Sequence, residues 1–245
     1  MFLLYLYNNL GEDNQIMIML SARKKYMTEE QKKIINLRKT CVIDRKILSL
    51  NNIEKCINDI KKYEIEYGLY KSSNNKSIPQ NALTCYITIN PISNIKAINT
   101  FIKEQLTINE EYLTALKNNK DINCILKRIN NPKGRLMSCL QKSIDKKIFI
   151  DIDFDINENE IDLFDSFLYE LTKNNVEYVS IKTHGGYHVL IKKDTINFNF
   201  YKLVKALNKK CSNEIVVNRN AMIPLPGTLQ GNKLVTFSRH PFDLI

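Results

Sequence analysis

The sequence predicts a mixed α/β protein of the α+β class. Two observations carry this. Runs alternating with period two are interleaved with runs of helical period along the whole chain. In the last hundred residues these runs follow the order β-α-β-β-α-β, with a Gly-Gly turn between the second and third strands.

The opening MFLLYLY is apolar but too short to span a bilayer. Gln15 to Leu20 and Thr40 to Asp44 read as short strands. Thr28, followed by Glu29, Glu30 and Gln31, reads as a helix N-cap with an acidic first turn. Ile53 to about Tyr63 reads as a helix. TCYITIN, ending at Pro91, alternates as a strand, and Ile92 to Leu106 has helical periodicity. Lys71 to Asn81 and Ile129 to Arg135 concentrate Asn, Ser, Gly and Pro and read as loops.

The C-terminal elements are sharper. Lys146 to Ile156 is an alternating strand. Glu158 to Asn175 is an amphipathic helix with Ile161, Phe164, Leu168 and Leu171 on one face. VEYVSIKT and GGYHVLIKK form a hairpin. Asn197 to Lys210 is a second helix, with Phe200, Leu203, Val204 and Leu207 inward. EIVV and KLVTFS are further strands, separated by a loop containing Pro224, Pro226 and Gly227. This is the ferredoxin-like split unit, an antiparallel sheet with both helices on one face. The expected division is an N-terminal α/β module over 1–140 and a C-terminal module over 141–245.

Lys plus Arg number 36 against 26 for Asp plus Glu, a net charge of +10. Such an excess favours a polyanionic partner, of which nucleic acid is the commonest. An AT-rich gene that inflates Lys, Asn and Ile together explains the charge equally well. The six cysteines are scattered without a CxxC pair, and three His are present, so no sequence-local zinc site is indicated. With no signal-peptide pattern, these features predict a reducing, cytoplasmic setting and no membrane partner.

In IFIDIDFDI, period two puts Asp151, Asp153 and Asp155 on one strand face while Ile148, Ile150, Ile152, Phe154 and Ile156 pack on the helices. Carboxylates so placed repel unless a cation intervenes, and hard oxygen ligands favour Mg²⁺ or Mn²⁺. Two such ions are the usual apparatus for in-line attack on a phosphate. In KTHGGYHVLI, Gly185 and Gly186 allow a tight turn and close backbone approach. His188 then stands just inside the next strand, with Thr183 and His184 nearby. Glu214 opens a strand and can supply a third acidic ligand ahead of the PLPGT loop.

These motifs in this order resemble the archaeo-eukaryotic primase superfamily, which includes primase small subunits and phage or plasmid primase-polymerases. The resemblance covers roughly 146–237. It matches Asp151 and Asp153 to the family's DxD strand, His188 to the His ending its hairpin motif, and Glu214 to its third carboxylate. The chain departs from the family in having Glu where Asp is usual, Ala221 and Pro224 where basic residues are common, and Gln230 where a His follows the turn. The resemblance implies an RRM-like palm and a template-dependent nucleotidyltransferase, a DNA primase or primase-polymerase. Asp151, Asp153 and Glu214 would hold two Mg²⁺ or Mn²⁺ ions. Thr183, His184, Gly186, His188 and Lys233 would bind NTP or dNTP, and Lys192, Lys193 and Arg239 would lie nearby. Partners would be single-stranded DNA template and a separate replicative helicase or polymerase.

Two alternatives stand beside it. A rolling-circle replication endonuclease would use His184, His188 and Tyr187 for metal and nucleophile. A decayed nucleic-acid-binding module would keep the fold without chemistry.

Overall fold

In the computed structural model, the described residues are 1–11, 14–35, 37–64, 68–72, 74–156, 158–218 and 222–239. Contacts divide the chain into two compact units, one of 1–90 with 147–245 and the other of 91–146, against the boundary between 140 and 141 expected from sequence. The mixed α/β class is as expected, and both sheets are antiparallel.

The first unit begins with α1 (Phe2–Leu10), the apolar opening of the chain, whose Phe2, Leu3, Leu6 and Leu10 are buried. β1 (Gln15–Arg23) follows, then α2 (Glu29–Ile34), β2 (Thr40–Ser49), α3 (Ile53–Lys61) and β3 (Leu83–Thr88). Thr28 caps α2 as anticipated: its side chain accepts from Gln31 N–H while the Gln31 side chain accepts from Thr28 N–H. β1 is central, paired with β2 on one side and β3 on the other.

The same unit resumes with β4 (Phe149–Phe154), α7 (Ile161–Lys173), β5 (Tyr178–Lys182), β6 (Tyr187–Lys192), α8 (Phe200–Asn208) and β7 (Ile215–Asn218). These strands run β5-β6-β4-β7 across their sheet, all antiparallel, the order of the split βαβ unit. The tail then adds β8 (Met222–Pro224), β9 (Leu229–Gln230) and β10 (Lys233–Leu234) to the first sheet, and β11 (Thr236–Arg239) to the β5 edge of the second. KLVTFS, expected as one strand, is therefore divided between two sheets. The reason is visible at its middle, where Val235 is wholly buried in the core.

Each face of the second sheet has its own core. Ile150, Ile152 and Phe154 pack with Phe164, Phe167, Leu168 and Leu171 of α7 and with Phe200, Val204 and Leu207 of α8. Ile161, expected inward, is 43 % exposed, and Phe167 takes its place. On the other face Phe149, Val179, Ile181 and Leu190 join α1 and the first sheet's Ile16, Ile18, Cys85 and Ile87. β4 is thus covered on both sides, by helices and by a second sheet. Asn90 pins its start. The buried amide donates to Phe149 C=O at 2.9 Å and accepts from the N–H groups of Ile148 and Phe149 at 2.8 Å each.

The second unit holds α4 (Asn94–Lys117), α5 (Asn123–Ile129) and α6 (Pro132–Lys142). α4 runs eleven residues beyond the expected Leu106, and the loop predicted over Ile129 to Arg135 is instead the break between two helices. Asn131 caps α6 and Pro132 opens it, a combination suited to a helix start as well as to a loop.

Among the described residues, no helix is long and apolar enough to cross a membrane. All six cysteines are free.

Candidate active-site cavity

β4 presents Phe149, Asp151 and Asp153 toward the first sheet. Phe149 closes the core, so the cavity starts at Asp151, whose side chain is fully buried. β6 runs beside β4 with His188 opposite Asp153, and β7 lies on the other side with Asn218 opposite Asp151. These registers bring two polar side chains, His188 and Asn218, onto Asp151 and Asp153. His188 Nδ1 and Asp151 Oδ1 are 2.9 Å apart, and His188 Nε2 is 3.6 Å from Asp153 Oδ1. Asn218 Nδ2 donates to Asp151 Oδ2 at 3.4 Å. A buried carboxylate without such donors would be strongly disfavoured.

The electrostatics follow. Burial pushes the Asp153 carboxyl above its ordinary value, with Asp151 and Asp155 adding to the push and His188 opposing it. Burial opposes the charged form of His188, yet its value is raised, because the Asp151 charge and hydrogen bond, with Asp153 and Asp155, outweigh burial. The imidazole ring stands between the two carboxyl groups.

The opposite wall comes from the first sheet. Arg23, at the end of β1, donates from Nη1 to the Tyr86 hydroxyl at 2.5 Å, while its buried Nε has no partner among the described residues. Lys25 and Tyr26 follow it, with Lys25 Nζ 5.0 Å from the Tyr26 ring centre. Burial, first of all, keeps both phenols above their usual range, so each is a neutral hydroxyl at pH 7. Between the walls lies a cavity of about 240 Å³, lined also by Asp155, Thr183, Gly185, Asn218 and Gln230. Acids face cations across it.

The other expected residues fall as follows. Thr183 lines the cavity, its N–H and hydroxyl both donating to the Gly186 carbonyl in the hairpin turn. Gly186 is needed for packing: a Cβ there would stand 1.9 Å from the Phe154 carbonyl oxygen. His184 is not among the cavity's lining residues. Its ring meets the Tyr26 ring edge-on at 4.9 Å, and its N–H donates to Gln230 Oε1 at 2.9 Å. Gln230 thereby ties β9 to the hairpin. Lys233 is exposed on β10 and does not line the cavity.

Glu214 is exposed just before β7 and likewise does not line the cavity. Antiparallel pairing explains this: β7 starts beside Phe154, at the far end of β4. Asn218, four residues on and about 13 Å along the strand at roughly 3.3 Å per residue, is the residue that reaches Asp151. Residues 214, 216 and 218 share one strand face, so alternation alone admitted Asn218. Arg23 and Tyr86 come from strands distant in sequence, Lys25 and Tyr26 from the 3-10 turn after β1, and the sole local hint is an arginine ending the apolar run QIMIMLSAR.

Lys192 pairs with Glu177 at 3.0 Å. The Arg239 side chain lies outside the described residues. Tyr187 stacks on Phe164 at 4.2 Å, on the helix-covered face, while His188 points the opposite way. A tyrosine nucleophile beside a histidine pair is therefore not assembled.

Asp151 and Asp153 are hard oxygen donors converging on one cavity, and the Asn218 amide adds a third oxygen donor if it turns. Among the described residues no three His, Cys, Asp or Glu side chains are grouped to hold a metal. Oxygen donors of this kind are those that Mg²⁺ or Mn²⁺ takes. In comparisons with known proteins, no family model, curated protein or solved structure matches the chain.

Proposed function

We propose that the cavity binds the polyphosphate of an NTP or dNTP with a divalent cation, and that the protein is a template-dependent nucleotidyltransferase of the primase or primase-polymerase type. The observation that supports this is the pairing of walls. Asp151 and Asp153 stand on one side, and Arg23 and Lys25 on the other, of one cavity of about 240 Å³. A metal-complexed polyphosphate has that charge pattern, cation against carboxylates and oxyanions against guanidinium and ammonium.

Asp151 and Asp153 would hold Mg²⁺ or Mn²⁺, with Asn218 turning its amide oxygen inward. Bound there, the ion would supply Lewis-acid stabilisation of phosphoryl oxygens. Arg23 and Lys25 orient the phosphates. His188 fastens Asp151 in its rotamer, and Thr183 shapes the hairpin beside it. The net charge of +10 suits a single-stranded DNA template.

One observation favours a second reading. Asn218 stands where a third carboxylate would complete the acidic set, which suits a nucleotide-binding module that has lost catalysis.

The test is incubation with single-stranded templates, labelled NTPs or dNTPs and Mg²⁺ or Mn²⁺. Wild type should incorporate label, and the Asp151→Asn, Asp153→Asn double variant should not. Equal incorporation by both would sink the catalytic reading. Metal-dependent nucleotide binding without incorporation would establish the second.

A further inference from the structure

α4 carries two apolar stripes. Ala97, Ile108 and Ala115 are buried within the second unit, and Arg135 of α6 lies over the Phe101 ring at 5.0 Å. The other stripe is bare: Ile95, Ile98, Ile102, Leu106, Leu113 and Leu116 are 75, 49, 51, 59, 65 and 45 % exposed. At 3.6 residues per turn the six fall within an arc of about 80° and run about 32 Å along the helix. Asn109 is the one polar residue in that arc. Single exposed apolar residues are ordinary, but a continuous stripe of six marks an interaction surface.

We propose that a second copy of this chain covers the stripe, α4 against α4, antiparallel about a two-fold axis between Gln105 and Leu106. In that arrangement the apolar residues of the stripe meet one another except at Ile102, which meets Asn109 of the other copy. Ile95 meets Leu116 of the other copy, Ile98 meets Leu113, and the two Leu106 side chains flank the axis. A two-fold interface uses the same patch on both copies, as this one does.

Charge agrees with the register. Lys103 and Glu110 lie on the same flank of the stripe, and neither makes an ion pair among the described residues. In the antiparallel pair, Lys103 of each copy comes level with Glu110 of the other to within about 3 Å along the axis. The opposite-charge contact occurs twice by symmetry. At the ends Lys96 approaches Lys117 of the other copy, but Lys96 is already engaged by Asp145 at 3.2 Å. This inference rests on α4 alone and is independent of the nucleotide reading.

The test is sedimentation equilibrium of the full chain across a concentration series. The wild type should dimerise. Leu106→Glu should raise the dimer dissociation constant at least tenfold without changing the far-ultraviolet circular dichroism. Lys103→Glu and Glu110→Lys should each weaken the dimer, and the double exchange should restore it. Three results would overturn the proposal: a monomer at every concentration, a dimer indifferent to Leu106→Glu, or a double exchange as weak as the single ones.

Discussion

Replacing Asn218 with Asp puts a second carboxylate against buried Asp151, whose Oδ2 now accepts from the Asn218 amide at 3.4 Å. The change removes one donor and adds one like charge. Two charges about 4 Å apart at an effective dielectric near 20 repel by about 4 kcal/mol. Proton uptake relieves part of this, since one unit of pKa shift corresponds to about 1.4 kcal/mol. A net loss of about 1–3 kcal/mol in chelator is expected, which for a chain this size lowers Tm by roughly 2–4 °C per kcal/mol. Divalent cation should reverse the order. A ligand at a hundred times its dissociation constant adds about 2.7 kcal/mol, and the variant offers the ion one carboxylate more than the wild type. Thermal unfolding followed by circular dichroism, first with EDTA and then across a Mn²⁺ series, reads both effects. The variant should melt lower than wild type in EDTA and gain more from Mn²⁺. Equal melting in EDTA, or equal Mn²⁺ shifts, would refute the placement of Asn218 at the carboxylate pair.

Asn90→Ala removes the acceptor of one buried and one part-buried N–H group and the donor to one buried carbonyl at the start of β4. At about 1–3 kcal/mol per orphaned group, urea unfolding should show a loss of at least about 3 kcal/mol, and a loss under about 1 kcal/mol would contradict the latch. Stability should also fall as pH rises. The folded values of His188 and Asp153 are both raised, so the folded state binds more protons than the unfolded chain. The His188 contribution is complete below its unfolded value near 6.5 and is lost as pH climbs through the higher folded value. Melting temperatures between pH 6 and pH 9 should decline in wild type and flatten in His188→Gln. An identical slope in the variant would remove His188 from the account.

Much of this fold was legible because its signals are local. The alternation in FIDIDF, the Gly-Gly turn and the apolar stripes of α7 and α8 each specify an element within a few residues, and their order dictates the sheet. The Asp151, Asp153 and His188 group was legible for the same reason, since period two assigns faces without knowledge of neighbours. Glu214 is the acid that opens the strand ahead of the PLPGT loop. Which end of β7 meets Asp151 depends on strand pairing across 67 residues, and that pairing selected Asn218. Arg23, Lys25 and Tyr26 were illegible because the sheet that carries them folds against β4 only in three dimensions. Lys233 looked available as a cation, but the division of KLVTFS at buried Val235 sends it to the outer edge of the first sheet.

The central claim is that the Asp151–Asp153 pair binds a divalent cation. Electron paramagnetic titration of free Mn²⁺ tests it without requiring turnover. Wild type should take up Mn²⁺ at one site, more tightly when an NTP or dNTP is present, and the Asp151→Asn, Asp153→Asn variant should take up none. Equal Mn²⁺ uptake by wild type and the double variant, or none by either, would contradict the account.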